Sequence, residues 1–147
     1  MEIDMVKAEK LLNKWQKILK LQDWDIKLEI VEKVWRKSAD IKINDNLRLA
    51  ILLLNANPVT KNLEELIIHE LLHLKLWGMD QMIETLLIGT FGENSNDPKY
   101  DFAYGQFMNT LESTVADLTK SFLTEVGEDK NICFGSIDKM VKEEIGE

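Results

Sequence analysis

The sequence predicts an α+β fold: an N-terminal helix, a small twisted, mostly antiparallel sheet of about three strands, a buried helix and a second long helix. Three observations carry this reading. Apolar residues recur at helical spacing over residues 5–21 and again from about Asp101 to Val126. Between Trp24 and Leu54, three short segments either alternate apolar with polar residues or run apolar throughout. A stretch between Asn62 and Gly78 is apolar around nearly its whole helical circumference, the mark of a helix buried on all sides.

In the first helix, Leu11, Leu12, Trp15, Ile18 and Leu19 form one side, and Lys7, Lys10, Lys14 and Lys17 form a stripe read as the solvated face. Next, Trp24, Ile26, Leu28 and Ile30 alternate with Asp25, Lys27 and Glu29, the period of a half-buried strand. Ile41 and Ile43 alternate with Lys42 and Asn44 in a second strand, and Asn44-Asp45-Asn46 is turn chemistry. Leu49–Leu54 reads as a third, more fully buried strand, and as one to which an extended peptide can add. The buried helix starts at a capping box of Asn62 and Glu65 and stops at Gly78. Residues 81–89 add a short helix, 92–98 a loop, and Gly127 stops the long helix. The organisation expected is one domain over 1–126 and an acidic C-terminal tail over 127–147, in which Ser136–Ile145 forms a short helix or stays mobile.

Composition narrows the function. The 147 residues are 45% hydrophobic and 30% charged with 7 Gly and 2 Pro, enough apolar material for a core. The longest apolar run, Leu49–Leu54, is far short of the roughly 20 residues of a membrane helix, and the first residues are acidic where a signal peptide is basic. Cys133 is the sole cysteine, which excludes an internal disulfide and a thiolate cluster, so a cytoplasmic protein is expected. The net charge of −8 divides into +2 over residues 1–60 and −10 over residues 61–147, which argues against nucleic acid as a partner.

Both histidines of the chain lie in the buried helix, in His69-Glu70-Leu71-Leu72-His73. Residues four apart on a helix share a face, so the two imidazoles can converge on one ion, while Glu70 is offset enough to reach a water rather than the metal. Random placement puts two histidines four apart in about one case in 75, so the spacing is itself a signal. Two imidazoles and a carboxylate in a helix otherwise lined with Leu and Ile also need a purpose, because unpaired buried polar groups cost kcal/mol each.

One zinc ion is the cofactor this pair calls for, and such a site needs a third protein ligand, with a fourth position left for water. Glu112 is the stronger candidate: it sits on the apolar side of the long helix beside Met108, Leu111, Val115 and Ala116, where a carboxylate is costly unless paired or bound to a cation. Glu84 and Asp80 are alternatives. Cys133 is a further one, if the tail folds over the cleft.

His69-Glu70-Leu71-Leu72-His73 followed by Leu111-Glu112-Ser113-Thr114-Val115 resembles a minimal gluzincin metallopeptidase. Trp24-Asp25-Ile26-Lys27 and Leu63-Glu64-Glu65 are similar to the corresponding segments of small zinc peptidases of bacteria and phages, so the likeness spans roughly residues 5–125. The resemblance implies a zincin-like domain, zinc held by His69, His73 and Glu112, Glu70 as general base, and a peptide or protein substrate. Larger gluzincins carry an Asp four residues after the ligand Glu, where this chain has Ala116, and use an extra His or Tyr on the oxyanion, a role for which Tyr104 is the candidate here.

Overall fold

A computed structural model describes residues 3–92 and 97–146 of the chain. The loop expected over 92–98 has its centre, 93–96, outside the described residues, as are Met1, Glu2 and Glu147. The architecture is α+β, with five helices among the described residues and one three-stranded sheet.

Helix α1, Met5–Ile18, starts where the Asp4 carboxylate accepts the amides of Val6 (3.0 Å) and Lys7 (3.3 Å), satisfying two of the helix's orphan donors. Its apolar side, with Ala8, Leu11, Leu12 and Trp15, is buried. Lys7, Lys10 and Lys17 are exposed as the stripe requires. Lys14 is not a solvated lysine: its Nζ donates to Glu64 Oε1 at 2.9 Å and to the Val126 carbonyl at 2.8 Å.

The strands are β1 (Asp25–Val31), β2 (Ala39–Asn44) and β3 (Leu49–Asn55), in the order β1-β3-β2. The β2–β3 hairpin is antiparallel, with Ile41 opposite Leu52, and its turn uses an Asn44 side-chain cap on the Leu47 amide and a left-handed Arg48 (φ 54°). β1 pairs parallel to β3, Leu28 opposite Leu52. The sheet is therefore mixed rather than mostly antiparallel. β3 is its middle strand, with both edges paired, so the expectation that 49–54 accepts an added peptide strand fails. β3 is the most fully buried of the three strands, as expected, with Ala50, Leu52 and Leu54 in the core, although Leu49 and Ile51 face outward and are exposed. On that outer face the aliphatic row of β3 is flanked by charged or polar residues of its neighbours, Lys27 and Lys42 standing on either side of Ile51.

The chain between β1 and β2 is held by Asn55, a buried residue whose Nδ2 donates to the Trp35 and Lys37 carbonyls at 3.0 and 2.7 Å. That tether fixes where Lys37 and Asp40 stand at the start of β2.

Helix α2, Leu63–Lys75, lies against α1, α4 and β2. Leu66, Ile67, Ile68, Leu71, Leu72 and Leu74 are buried on several sides of it, as its apolar circumference requires. Asn62 caps it by accepting the Glu65 amide at 3.2 Å, but Glu65 does not close the box: its carboxylate accepts the Cys133 amide at 3.3 Å instead. Gly78 is not the stop. α2 ends at Lys75, Leu76 leaves helical geometry (φ −92°, ψ 4°), and α3 runs Trp77–Phe91, with Gly78 inside it and longer than the segment expected over 81–89.

Helix α4, Pro98–Val126, begins three residues before the expected Asp101, with Asp97 capping the Lys99 amide and Pro98 in the first turn. Leu111, Val115, Thr119 and Leu123 are buried along one stripe, and Phe122 meets Trp15 of α1 edge to face at 5.9 Å. Gly127 ends the helix by donating to the Leu123 carbonyl at 2.9 Å; a Cβ there would stand 2.5 Å from that same oxygen, so only glycine fits. Residues 128–133 are tied to the start of α2: the Glu128 amide donates to Glu64, and Asn62 Nδ2 donates to the Asp129 and Asn131 carbonyls. α5, Gly135–Ile145, follows.

Candidate metal centre

The middle of α2 and the middle of α4 cross beside the edge strand β2, and a cavity of about 370 Å³ opens between them. The helical repeat places His69 and His73 one turn apart on this cavity, their ring centroids 5.1 Å from each other. Glu112 reaches them from α4: its Oε2 is 3.7 Å from His69 Nε2 and its Oε1 is 3.2 Å from His73 Nε2. The ligand-capable atoms of the three residues lie within 4.8 Å of one another. Glu112 thus stands with the histidines, although not as the buried residue that the sequence pattern suggests. Its side chain keeps 51% of its surface exposed, and the neighbouring Leu111 and Val115 fill the core instead.

Burial first, and the adjacent His73 second, lower the pKa of His69, while Glu112 pulls it partly back up. A neutral His69 offers a lone pair and not a charge, so its approach to Glu112 is not an ion pair at neutral pH.

Glu70 is 8% exposed and lines the same cavity. Among the described residues its carboxylate makes no hydrogen bond and no ion pair. Its pKa is pushed up to about 8, chiefly by burial, then by Asp40 and Glu112, with Lys37 opposing. Lys37 is engaged with Asp40 at 3.1 Å, and Lys42 joins Asp40 at 3.2 Å. These multiple contacts outweigh burial and leave the Asp40 carboxyl below its ordinary value.

The other candidates fall in different places. Asp80 of α3 lines the cavity, whereas Glu84, one turn further on, is not among its lining residues. Tyr104 is not among them either; it stacks on Tyr100 with ring centroids 5.9 Å apart. Cys133 lines a separate recess beside Val59 and Lys61, where its Sγ accepts the Lys61 amide at 3.5 Å and the Gly135 amide at 3.4 Å. The tail does not bring that thiol to the histidines. Sequence reasoning missed Lys37, Asp40 and Trp77 as walls of the site; their places depend on the Asn55 tether and on the break at Leu76, neither of which has a periodic signature.

Two imidazoles and a carboxylate are a donor set that could hold a metal ion. Ligand atoms at zinc distances of about 2.0–2.1 Å are separated from each other by about 3.4 Å, and the two nitrogen–oxygen distances, 3.7 and 3.2 Å, bracket that value. No helix among the described residues is long and apolar enough to cross a membrane. Comparison of the chain with known protein families, with curated protein sequences and with solved structures returned no match.

Proposed function

We propose that this chain is a zinc-dependent metallopeptidase of the gluzincin type, with a zincin-like arrangement of sheet and ligand-bearing helices, working in the cytoplasm. The observation that carries the reading is the convergence of His69, His73 and Glu112 from two helices, next to a buried carboxylate that lines the same cavity and has no hydrogen-bond partner among the described residues.

His69, His73 and Glu112 hold the ion. When bound, zinc supplies Lewis acidity and brings the pKa of a water at its open position towards ~7. Glu70 acts through its carboxylate: it takes the proton of the attacking water and passes it to the leaving amine. Burial first, and then Asp40 and Glu112, raise its proton affinity in the metal-free protein, and a bound cation would favour its charged form, the one that accepts a proton. The substrate backbone lies along β2, the edge strand that borders the cavity and whose outer edge is unpaired among the described residues.

The test combines elemental analysis with one substitution. Protein purified without an affinity tag is expected to contain one zinc per chain; Glu70→Gln retains it and loses peptide hydrolysis. A zinc-free protein whose melting temperature ignores added zinc overturns the reading. A second reading is a catalytically inactive zinc domain that acts by binding a protein. It is favoured by the position of Tyr104 away from the cavity lining, which leaves no tyrosine to share the oxyanion charge. Stoichiometric zinc with no turnover of a broad peptide library selects it.

A further inference from the structure

The sheet has two edges, and none of the residues of β1, the edge opposite β2, lines the histidine cavity. Along β1, the Asp25 amide donates to the Arg48 carbonyl at 3.0 Å, and the Val31 carbonyl accepts the Ala56 amide at 2.9 Å. In a parallel ladder the N–H and C=O of one residue turn to the same neighbour, and successive residues alternate. Asp25, Lys27, Glu29 and Val31 therefore bond β3, and the backbone groups of Ile26, Leu28 and Ile30 point away from it. Among the described residues no hydrogen bond takes them. The outward carbonyl just before them, that of Trp24, is covered by Gln16 Nε2 at 3.0 Å, so the open row is confined to three residues. Such a row of unpaired donors and acceptors is a template for another strand.

The side chains of β1 indicate which strand. Read outward from Leu28, the segment Ile26-Lys27-Leu28-Glu29-Ile30 is its own complement: isoleucine matches isoleucine, and lysine matches glutamate. Laid antiparallel on a second copy with Leu28 opposite Leu28, Lys27 faces the Glu29 of that copy, and Glu29 faces its Lys27. Ile26 stands opposite Ile30 on the helix-covered face, where both already pack against the core. The backbone agrees with this register. Ile26, Leu28 and Ile30 fall at hydrogen-bonded pairs, and the charges fall at the pairs between them, where opposed side chains come closest. The adjacent two-fold registers are unfavourable. Centring on Lys27 sets lysine against lysine and Asp25 against Glu29, and centring on Glu29 sets glutamate against glutamate. In the single chain Lys27 and Glu29 pair along the strand at 3.2 Å, with side chains 70% and 44% exposed, so both can turn to a second copy.

We infer that the free edge of β1 is a homotypic interface, at which two copies of this chain join antiparallel through Ile26–Ile30 into one six-stranded sheet. The two histidine cavities then lie towards its opposite ends, beside β2 edges that stay open. Neither a metal ion nor a peptide substrate enters the argument, so the interface stands apart from the function proposed above. With about six backbone hydrogen bonds and two ion pairs it is a small contact, and the association is weak and concentration-dependent.

The experiment is sedimentation velocity of the full chain between about 1 and 300 µM, a range that spans weak association. The same runs are made on Lys27→Glu, on Glu29→Lys, on the double exchange Lys27→Glu/Glu29→Lys, and on an equimolar mixture of the two single variants. The native chain is expected to pass from monomer towards dimer as concentration rises. Each single variant sets like charges opposite at both pairs and raises Kd about tenfold to a hundredfold. The double exchange associates like the native chain. The mixture also recovers association: the acid introduced in one chain faces the lysine introduced in the other, and native Glu29 faces native Lys27. Because both side chains lie on the solvent side of the sheet, melting temperatures of the dilute variants are expected to match that of the native chain, which separates lost association from lost fold. A native chain that stays monomeric across the range overturns the inference. So does a dimer that the single variants fail to weaken, or one that neither the double exchange nor the mixture restores, since the copies would then meet elsewhere.

Discussion

Glu64 and Glu70 are both buried acids, six residues apart on α2, and they live in opposite circumstances. Glu64, 2% exposed, accepts from Lys14 Nζ at 2.9 Å, from the Trp15 indole at 3.0 Å and from the Glu128 amide at 3.0 Å. Glu70, 8% exposed, accepts from nothing among the described residues. Burial tends to raise the pKa of both. In Glu64 the hydrogen bonds from Lys14, Glu128 and Trp15 overcome it and leave the carboxyl below its ordinary value; in Glu70 neighbouring carboxylates add to it. One helix thus uses the same side chain as a structural knot near its start and, at its centre, as a cavity-lining acid with no hydrogen-bond partner among the described residues. A buried carboxylate by itself signals neither role; the inventory of its partners does.

The comparison can be tested from both ends. The largest effect expected is on catalysis: Glu70→Gln lowers kcat/KM for peptide hydrolysis by about 10³-fold, roughly 4 kcal/mol of barrier, with zinc content unchanged by elemental analysis. At the other carboxylate the effect moves to stability. Glu64→Ala leaves the Trp15 indole without its acceptor and the Lys14 ammonium with the Val126 carbonyl alone, and costs about 3 kcal/mol, read as a lower urea midpoint, while the folded fraction still takes up zinc. Gly127→Ala, which forces a methyl against the Leu123 carbonyl next to the same knot, costs about 2 kcal/mol by the same measurement.

Acid should separate the two sites further. The folded-state pKa of Glu64 lies below its ordinary 4.5, so its contribution is complete above about pH 4.5 and disappears as pH falls through the folded value. The gap in melting temperature between the native chain and Glu64→Gln therefore narrows as pH falls from 5 to 3; a constant gap would mean that Glu64 stabilises the fold in some other way. The smallest effect has the opposite sign. In zinc-free protein at neutral pH, Glu70→Gln removes a burial penalty and raises the melting temperature by about 2–4 °C, the shift that ~1 kcal/mol produces in a domain of this size.

The contrast also marks what the sequence makes legible. His69, Glu70 and His73 follow from helical spacing, a local property; Glu112 is chosen for a burial it does not have, yet its carboxylate does stand with the two histidines. The β2–β3 hairpin is legible for the same reason, since Asn44-Asp45-Asn46 advertises the turn. The parallel pairing of β1 with β3 is not, because nothing near either strand records which non-adjacent segment lies beside it. Glu64 looks like one more acid in the first turn of a helix, and its partners lie 50 and 64 residues away. Lys14 misleads by belonging to a regular stripe of lysines from which only the fold removes it. Gly78 misleads because glycine is often found past the end of a helix; here the chain breaks two residues earlier at Leu76 and resumes as α3.

The knot around Glu64 has a consequence for how the molecule is made. A ribosome delivers α1 and α2 first, yet the Val126 carbonyl that anchors Lys14 lies 112 residues further along the chain, and the Glu128 amide that helps satisfy Glu64 lies 64 residues further along. Until then the helix carrying both histidines holds a carboxylate lacking part of its hydrogen-bond set, so the nascent chain cannot lock its histidine-bearing helix before the last strands of contact arrive. Assembly of the site in this sense waits for the segment after α4, and a stalled or clipped polypeptide ending ahead of Glu128 would present the histidine motif on an unfastened scaffold.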